Sequence, residues 1–382
     1  MNWKKWIMKT LSYLLVAVLA STATIWVGRQ GSGKLAELQS VIDYYFVGEV
    51  EEEKMLDAAA TGMVYGLGDQ WSYYIPASDF AAHQEYKENS TVAIGVNISL
   101  REDGTGVDIL GVSMGSGAEA AGILPGDVLI AVEGQSIAGM TLEQVTDLVR
   151  GEENTEVKLV MRRGEEEKTF AVKRQKIAVA AGKMLDAETG LIRILNFNSD
   201  CAKETIATIE NLQEQGAKKL IFDVRNNPGG YVSEMIELLD YLLPEGTLFR
   251  QEDYKGNKTE ETSDAACLQM PMAVLVNGDS YSAAEFFAAA LQEYQWATIL
   301  GEKTFGKGYY QLTITLSDGS AVNLSSGKYF TPKGVNLTEA GGLTPDKIVT
   351  VDEKTANKIA VNGVLPENDP QIQAAIGALQ GK

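Results

Sequence analysis

Two stretches of this chain share one pattern: a short apolar run, a glycine-bearing turn, and then a segment with helical periodicity. "KKLIFDV" leads through "RNNPGG" into "VSEMIELLDYLL", and "PMAVLVN" leads through "NGDSYS" into "AAEFFAAALQEY". With "LIRILNF" ahead of the helix "AKETIATIENLQEQG", which stops at Gly216, strand and helix alternate from Ile192 onward. Buried strands alternating with helices require a layered α/β domain, in which the loops after the strands are placed to carry chemistry. Downstream, "QLTITLSDGSAVNLSSGKYF" reads as a hairpin turned on Asp318-Gly319, and "PQIQAAIGALQ" as a closing helix.

Upstream the texture differs. Between Thr91 and Ile177 come five short β-rich runs, "VAIGVNISL", "GVDILGV", "DVLIAVEG", "EVKLVMRR" and "EKTFAVKR". One helix interrupts them: Thr141 and Gln144 form a T-x-x-Q capping box, followed by Leu142, Val145, Leu148 and Val149 on one face. This is a compact α+β module. Before it, residues 35–65 have helical spacing with a break near Gly48, "GDQWSYYIP" is loop-like, and "ASDFAAHQEYK" predicts a short helix with Ser78 as N-cap. At the N-terminus, Lys4, Lys5 and Lys9 precede an uncharged run from Thr10 to Val27, bracketed by Trp6 and Trp26. That length suits a bilayer crossing. The run continues past "VLA" at Ala20, which favours an uncleaved anchor over a signal peptide and places the rest of the chain outside the cytoplasmic membrane.

Composition excludes some functions. A net charge of −19 argues against a nucleic-acid partner, because phosphates attract Lys and Arg. Cys201 and Cys267 lack metal-ligand spacing, so no zinc site is expected, and two isolated cysteines are more often unpaired than bridged, so no disulfide is expected either.

Ser282, in "NGDSYSAAE", stands at a helix mouth where a nucleophile could sit. S-x-x-E with Glu285 is also a capping box, which by itself is a sufficient reason for a serine there. The chain has one histidine, His83, on a polar stretch far upstream, where it reads as a surface residue. A base is available elsewhere. In "TFGKGYYQ", Lys307 lies between glycines at the start of a β-rich run, and strand alternation would put Lys307, Tyr309 and Gln311 on one face. A lysine in a partly apolar site loses stability as an ammonium, and its neutral amine can take a serine proton while an amide orients it. The glycines of "DVRNNPGG" let backbone N–H groups turn toward a ligand, and with the Ala283 N–H they could stabilise an oxyanion. A plain strand-to-helix turn would use the same residues.

In order and spacing, these pieces resemble the carboxy-terminal processing, or tail-specific, proteases from about Leu35 to the end. "GDQWSYYIP" is similar to the motif ahead of that family's PDZ domain, "DVRNNPGG" to its oxyanion loop, "VNGDSYSAAE" to its nucleophile motif, and "KTFGKGYYQ", whose Lys307 lies 25 residues after Ser282, to its lysine–glutamine motif. Ala284 stands where the family often has serine, and Tyr281 where it has a smaller residue. The resemblance implies a crotonase/Clp-protease-like layered α/β peptidase domain with an inserted α+β PDZ domain. The expected segments are an anchor (1–30), a helical segment (31–88), the PDZ domain (89–177) and the peptidase domain (178–382). It implies a serine endopeptidase with Ser282 as nucleophile, Lys307 as base, Gln311 orienting the base, and the N–H groups of Gly229 and Ala283 as oxyanion donors. The PDZ domain, with Ile94, Gly95, Val96, Val145 and Leu148 as groove residues, would hold a protein substrate by its free C-terminus as an added strand. No metal or cofactor is implied, and a homodimer is. Two rivals remain: a silent PDZ adaptor, against which the intact serine, lysine and glutamine argue, and a β-lactamase-like acyltransferase, whose S-x-x-K spacing is absent at Ser282.

Overall fold

The computed structural model describes residues 33–361 and 369–380. The run Thr10–Val27 lies outside them; among the described residues no helix is long and apolar enough to cross a membrane. The chain divides into two compact units, Met1–Leu67 and Gly68–Lys382. In the first, helices α1 (33–45) and α2 (Glu52–Tyr65) are separated around Gly48, as the broken periodicity predicts. Glu52 and Glu53 in the first turn of α2 suit its partial positive charge.

The second unit opens with β1 (Tyr73–Ile75) and α3 (Ala77–Lys87). The N-cap of α3 is Pro76 rather than Ser78, whose hydroxyl bonds the Asp79 carboxylate instead. Next comes an α+β module: β2 (Val92–Ala93), β3 (Val96–Leu100), β4 (Val107–Val112), α4 (Gly117–Ala121), β5 (Val128–Val132), β6 (Gln135–Ser136), α5 (Leu142–Val149), β7 (Glu156–Arg163), β8 (Glu166–Lys173) and β9 (Gln175–Lys176). Its sheet runs β3-β4-β5-β7-β8, and β2 pairs with β9, so the chain enters and leaves at one neck. Both arms of the predicted capping box form: Thr141 N–H donates to Gln144 Oε1 at 2.9 Å and Gln144 N–H to Thr141 Oγ1 at 3.3 Å.

The α/β domain follows as β10 (Ala180–Met184), β11 (Thr189–Ile194), α6 (Cys201–Glu214), β12 (Lys219–Asp223), α7 (Val232–Leu242), β13 (Gly246–Asp253), β14 (Lys258–Ser263), β15 (Met272–Val276), α8 (Ala283–Glu293) and β16 (Ala297–Gly301). It ends in β17 (Tyr309–Thr315), β18 (Ala321–Phe330), α9 (Leu337–Ala340), β19 (Lys347–Ile348), α10 (Glu353–Val361) and α11 (Pro370–Leu379). The main sheet has the order β10-β11-β12-β15-β16-β19, and every pairing from β11 onward is parallel. Alternate residues face opposite layers. Ile192, Phe222 and Val274 join a core with α6, α7 and α8, whereas Leu191, Ile221, Ala273 and Leu275 join a core with Ile372, Ala375 and Leu379 of α11. Helix α8 is buried from Ala283 to Leu291, which explains its alanine content: a helix with no water-facing side must lie between layers. The predicted hairpin is present as β17 and β18. Cys201 and Cys267 are both free.

Candidate active site

The loops after β12 and β15 lie side by side at the carboxyl ends of two adjacent parallel strands, where such sheets bind ligands. Two asparagines join them: Asn226 N–H donates to Asn277 Oδ1 and Asn277 Nδ2 to Asn226 Oδ1, each at 2.9 Å. Ser280 Oγ bonds the Val224 carbonyl at 2.7 Å, and Tyr281 N–H bonds the Asn227 carbonyl at 3.1 Å. Ser282 is carried on this double loop, buried, at φ 59° and ψ −128°. A non-glycine residue there costs about 1–3 kcal/mol, a strain that clusters at functional sites.

Glu285 does more than cap. Its carboxylate, wholly buried, accepts the N–H of Ser282 at 2.9 Å, of Gly306 at 2.7 Å and of Lys307 at 2.8 Å, together with the Thr304 hydroxyl. One side chain thereby fixes the nucleophile loop to the lysine loop. Burial pushes its carboxyl upward, against the pull of those four donors. Glu285 N–H, meanwhile, bonds the Ser282 carbonyl at 2.9 Å.

Lys307 sits among aromatic rings. Its Nζ lies 4.5 Å from the Trp71 centroid and 5.8 Å from that of Tyr281. Phe305 completes the group, 5.2 Å from Trp71 and 5.7 Å from Tyr281. Burial, then the positive charge of Lys87, lower its pKa to about 8, while Asp69 and Glu285 pull the other way. The ring faces favour the ammonium and oppose the burial effect.

The residues expected at the site are brought together unequally. Ser282, Ala283 and Gly229 touch: a Cβ on Gly229, at φ +81°, would come within 2.8 Å of Ser282 Cβ and Ala283 N. No other residue type fits there. The Gly229 N–H, however, is taken by Asn227 Oδ1 at 2.8 Å. The Gly229 carbonyl accepts from Phe197 N–H, and a trans peptide therefore turns the Gly230 N–H to the side away from Phe197. Gln311 does not bond Lys307. Its Nε2 donates to the Tyr309 carbonyl at 3.1 Å and Ser325 Oγ at 3.3 Å. Strand alternation fails because Lys307 precedes β17 and the register shifts between Tyr310 and Gln311. His83 is half-buried rather than on the surface, lodged against Tyr73 and Phe80 on α3.

In the α+β module, Ile94 and Val145 are core residues rather than groove lining. Val145 faces inward on α5, and the Ile94 carbonyl is tied to Ala118 N–H. Val96 and Leu148 are only partly buried against that core, and Gly95, at φ +82°, leaves no room for a Cβ beside Ser116. Trp71, Asn226, Asn277 and the bridging role of Glu285 were not identified from the sequence. Each lies inside a quoted motif, but a contact between motifs has no local signature.

Residues 188–349 match peptidase family S41, and residues 109–163 match the PDZ domain. A CtpA-like serine protease of Staphylococcus aureus (strain COL) is 33% identical over 354 residues, 89% of this chain and 70% of that protein. Among solved structures, a photosystem II D1 C-terminal processing protease is 28% identical, covering 85% of this chain and 92% of its own, with a TM-score of 0.49. An S41 protease from Bacteroides fragilis, 17% identical, shares the fold with a TM-score of 0.52 over 76% of this chain and 83% of its own.

Proposed function

Because the chain belongs to peptidase family S41, the C-terminal processing serine peptidases, and carries a PDZ domain, we propose that it cuts protein substrates near their C-termini with Ser282 as nucleophile and Lys307 as base. The observation that supports this best is the shared carboxylate: Glu285 holds the backbone N–H of both residues, and Lys307 beside it is depressed to about 8 by burial and a like charge. In the reaction, Ser282 Oγ attacks the scissile carbonyl as its proton passes to neutral Lys307 Nζ. The ammonium so formed gives that proton to the departing amine, and water then hydrolyses the acyl-serine with Lys307 again as base. The alkoxide of each tetrahedral intermediate would be held by N–H groups of Ala283 and of the Gly229–Gly230 turn. Since the Gly229 N–H is engaged by Asn227, Gly230 is the better donor of the two.

Gln311 is proposed to turn from Ser325 and steady Lys307 as it takes the serine proton. The PDZ domain would hold the substrate tail along the edge strand β3, with Val96 and Leu148 as contacts. The uncharged run Thr10–Val27 would anchor the protein as a single span with its catalytic part outside the cytoplasmic membrane. The exposed apolar side chains Leu38, Val41, Tyr44 and Tyr45 of α1 suit a homodimer contact. The test is a comparison of protein C-termini in cells carrying the active chain or Ser282→Ala, with a serine-reactive probe on the purified protein. New termini and labelling that both vanish in the variant support the reading; cleavage that survives Ser282→Ala refutes it.

A further inference from the structure

We propose that Lys87 and Asn198, beside the oxyanion loop, form a subsite that binds a carboxylate of the substrate chain. Lys87 is the last residue of α3, where a cation suits the helix dipole and could extend into water. Instead its ammonium is drawn inward, 3.1 Å from Asn198 Oδ1 and 4.6 Å from the centroid of Tyr231. Among the described residues no carboxylate lies within ion-pair distance of it, although the chain has 52 acidic residues. An amide oxygen and a ring face satisfy an ammonium incompletely, and two of its three N–H donors are left for a ligand.

The surroundings are built to hold it. Asn198, itself 1% exposed, donates from Nδ2 to the Tyr86 carbonyl at 3.1 Å, and its N–H bonds Asn196 Oδ1 at 2.9 Å. Ser199 N–H bonds the Lys87 carbonyl at 3.2 Å, and Asn89 Nδ2 the Ser199 carbonyl at 2.7 Å. These bonds fasten the end of α3 to the turn after β11. That turn reaches the catalytic loop directly: Phe197 pairs with Gly230, and Tyr231 N–H bonds the Phe197 carbonyl at 2.7 Å. Tyr231, under the ammonium, therefore follows Gly230 and is two residues from Gly229, which lies against Ser282. Lys307 also feels the Lys87 charge. A carboxylate entering there would gain a charge-assisted hydrogen bond and relieve the like-charge contact.

Two parts of a substrate carry that chemistry, an Asp or Glu side chain and the free C-terminus. The inference rests on the reading of Ser282 as nucleophile. Failure of that reading appears as cleavage by Ser282→Ala, whereas failure of the subsite appears only in the ratios below. The experiment measures kcat/KM on three peptides sharing one scissile bond: Glu with an amidated end, Gln with an amidated end, and Gln with a free end. The expected result is a preference of about tenfold for a charged peptide over the neutral one, expressed in KM, which collapses in Lys87→Met and persists in Lys87→Arg. Preference for the Glu peptide assigns the side chain as source, and preference for the free end assigns the terminus. Equal rates on all three peptides in the wild-type protein overturn the proposal whatever the variants do. So does a Lys87→Met variant that keeps the preference, or one that slows all three alike while moving the pH profile, since Lys87 would then act through Lys307.

Discussion

Two groups of charge withdrawn from the surface flank the Gly229–Gly230 loop, and they are built in opposite ways. At the foot of the loop, Arg225 is paired on every nitrogen: its Nε and Nη2 bond the two Asp223 oxygens at 2.8 and 2.7 Å, and its Nη1 lies 2.8 Å from both Asp369 and Gln371. All four residues are at most 3% exposed. This ties the start of the loop to α11 at the far end of the chain. In the cleft, Lys307 and Lys87 are half-buried, and their ammonium groups rest on Trp71, Tyr281 and Tyr231 with no carboxylate within ion-pair distance of either among the described residues. Pairing fixes a charge and the backbone that bears it. An unpaired amine keeps a proton it can lose, or a charge it can offer to a substrate. The first arrangement holds a loop in place, and the second suits the chemistry proposed for the cleft.

If that contrast is right, the largest effect comes from giving the cleft a permanent charge. Lys307→Arg should lower kcat/KM by about 10³-fold or more, since a guanidinium with pKa above ~12 cannot serve as a base, and Ser282→Ala, which removes the nucleophile, should do the same. Circular dichroism should show both folded. The paired cluster should respond in stability instead. Arg225→Met leaves Asp223 and Asp369 buried and unpaired, at a cost of about 3–5 kcal/mol in denaturant unfolding. Burial pushes the Asp223 carboxyl up, but the charge and hydrogen bonds of Arg225 bring it below its ordinary value. The stability it supplies is present above the unfolded pKa of ~3.9 and is lost as pH falls through the lower folded value. Acid unfolding of the wild type should thus move toward neutral pH in the variant. Glu285→Gln, which sets an amide among four donors, should cost about 10²-fold in kcat by misplacing both catalytic loops.

Smaller effects sharpen the comparison. Gln311→Ala should lower kcat by about tenfold, less than Lys307→Ala, because it steadies the base without carrying the proton. His83→Ala should stay within about threefold, far short of the loss of a general base. That residue lies one turn from Lys87 on α3, and its contacts are Tyr73 and Phe80.

Much of this was legible in the chain. Apolar runs and glycine turns foretold the layered sheet, and the order of four motifs pointed to Ser282 and Lys307. What the sequence hid was contact between segments far apart. Asn226 meeting Asn277, and Trp71 covering Lys307, join residues 51 and more than 200 positions apart. Local pattern also misled where geometry broke its period. The shift after Tyr310 removes Gln311 from the face that alternation assigns to it. Ile94 and Val145 have the apolar character a groove needs, but a small module spends such residues on its core first.

The central claim is that Lys307 works as a neutral amine because the cleft leaves it unpaired. The direct measurement is kcat/KM against pH, from about 6 to 10, on a short peptide with no titrating group in that range. Only the deprotonated lysine accepts the serine proton, so the rate should climb with pH and level off above an inflection near 8, where burial and Lys87 set the pKa. The inflection should be absent from the residual activity of Lys307→Arg. A rate that is flat above pH 6, or a folded Lys307→Arg enzyme with substantial activity and an unchanged profile, would contradict the account and return the search for the base to other residues.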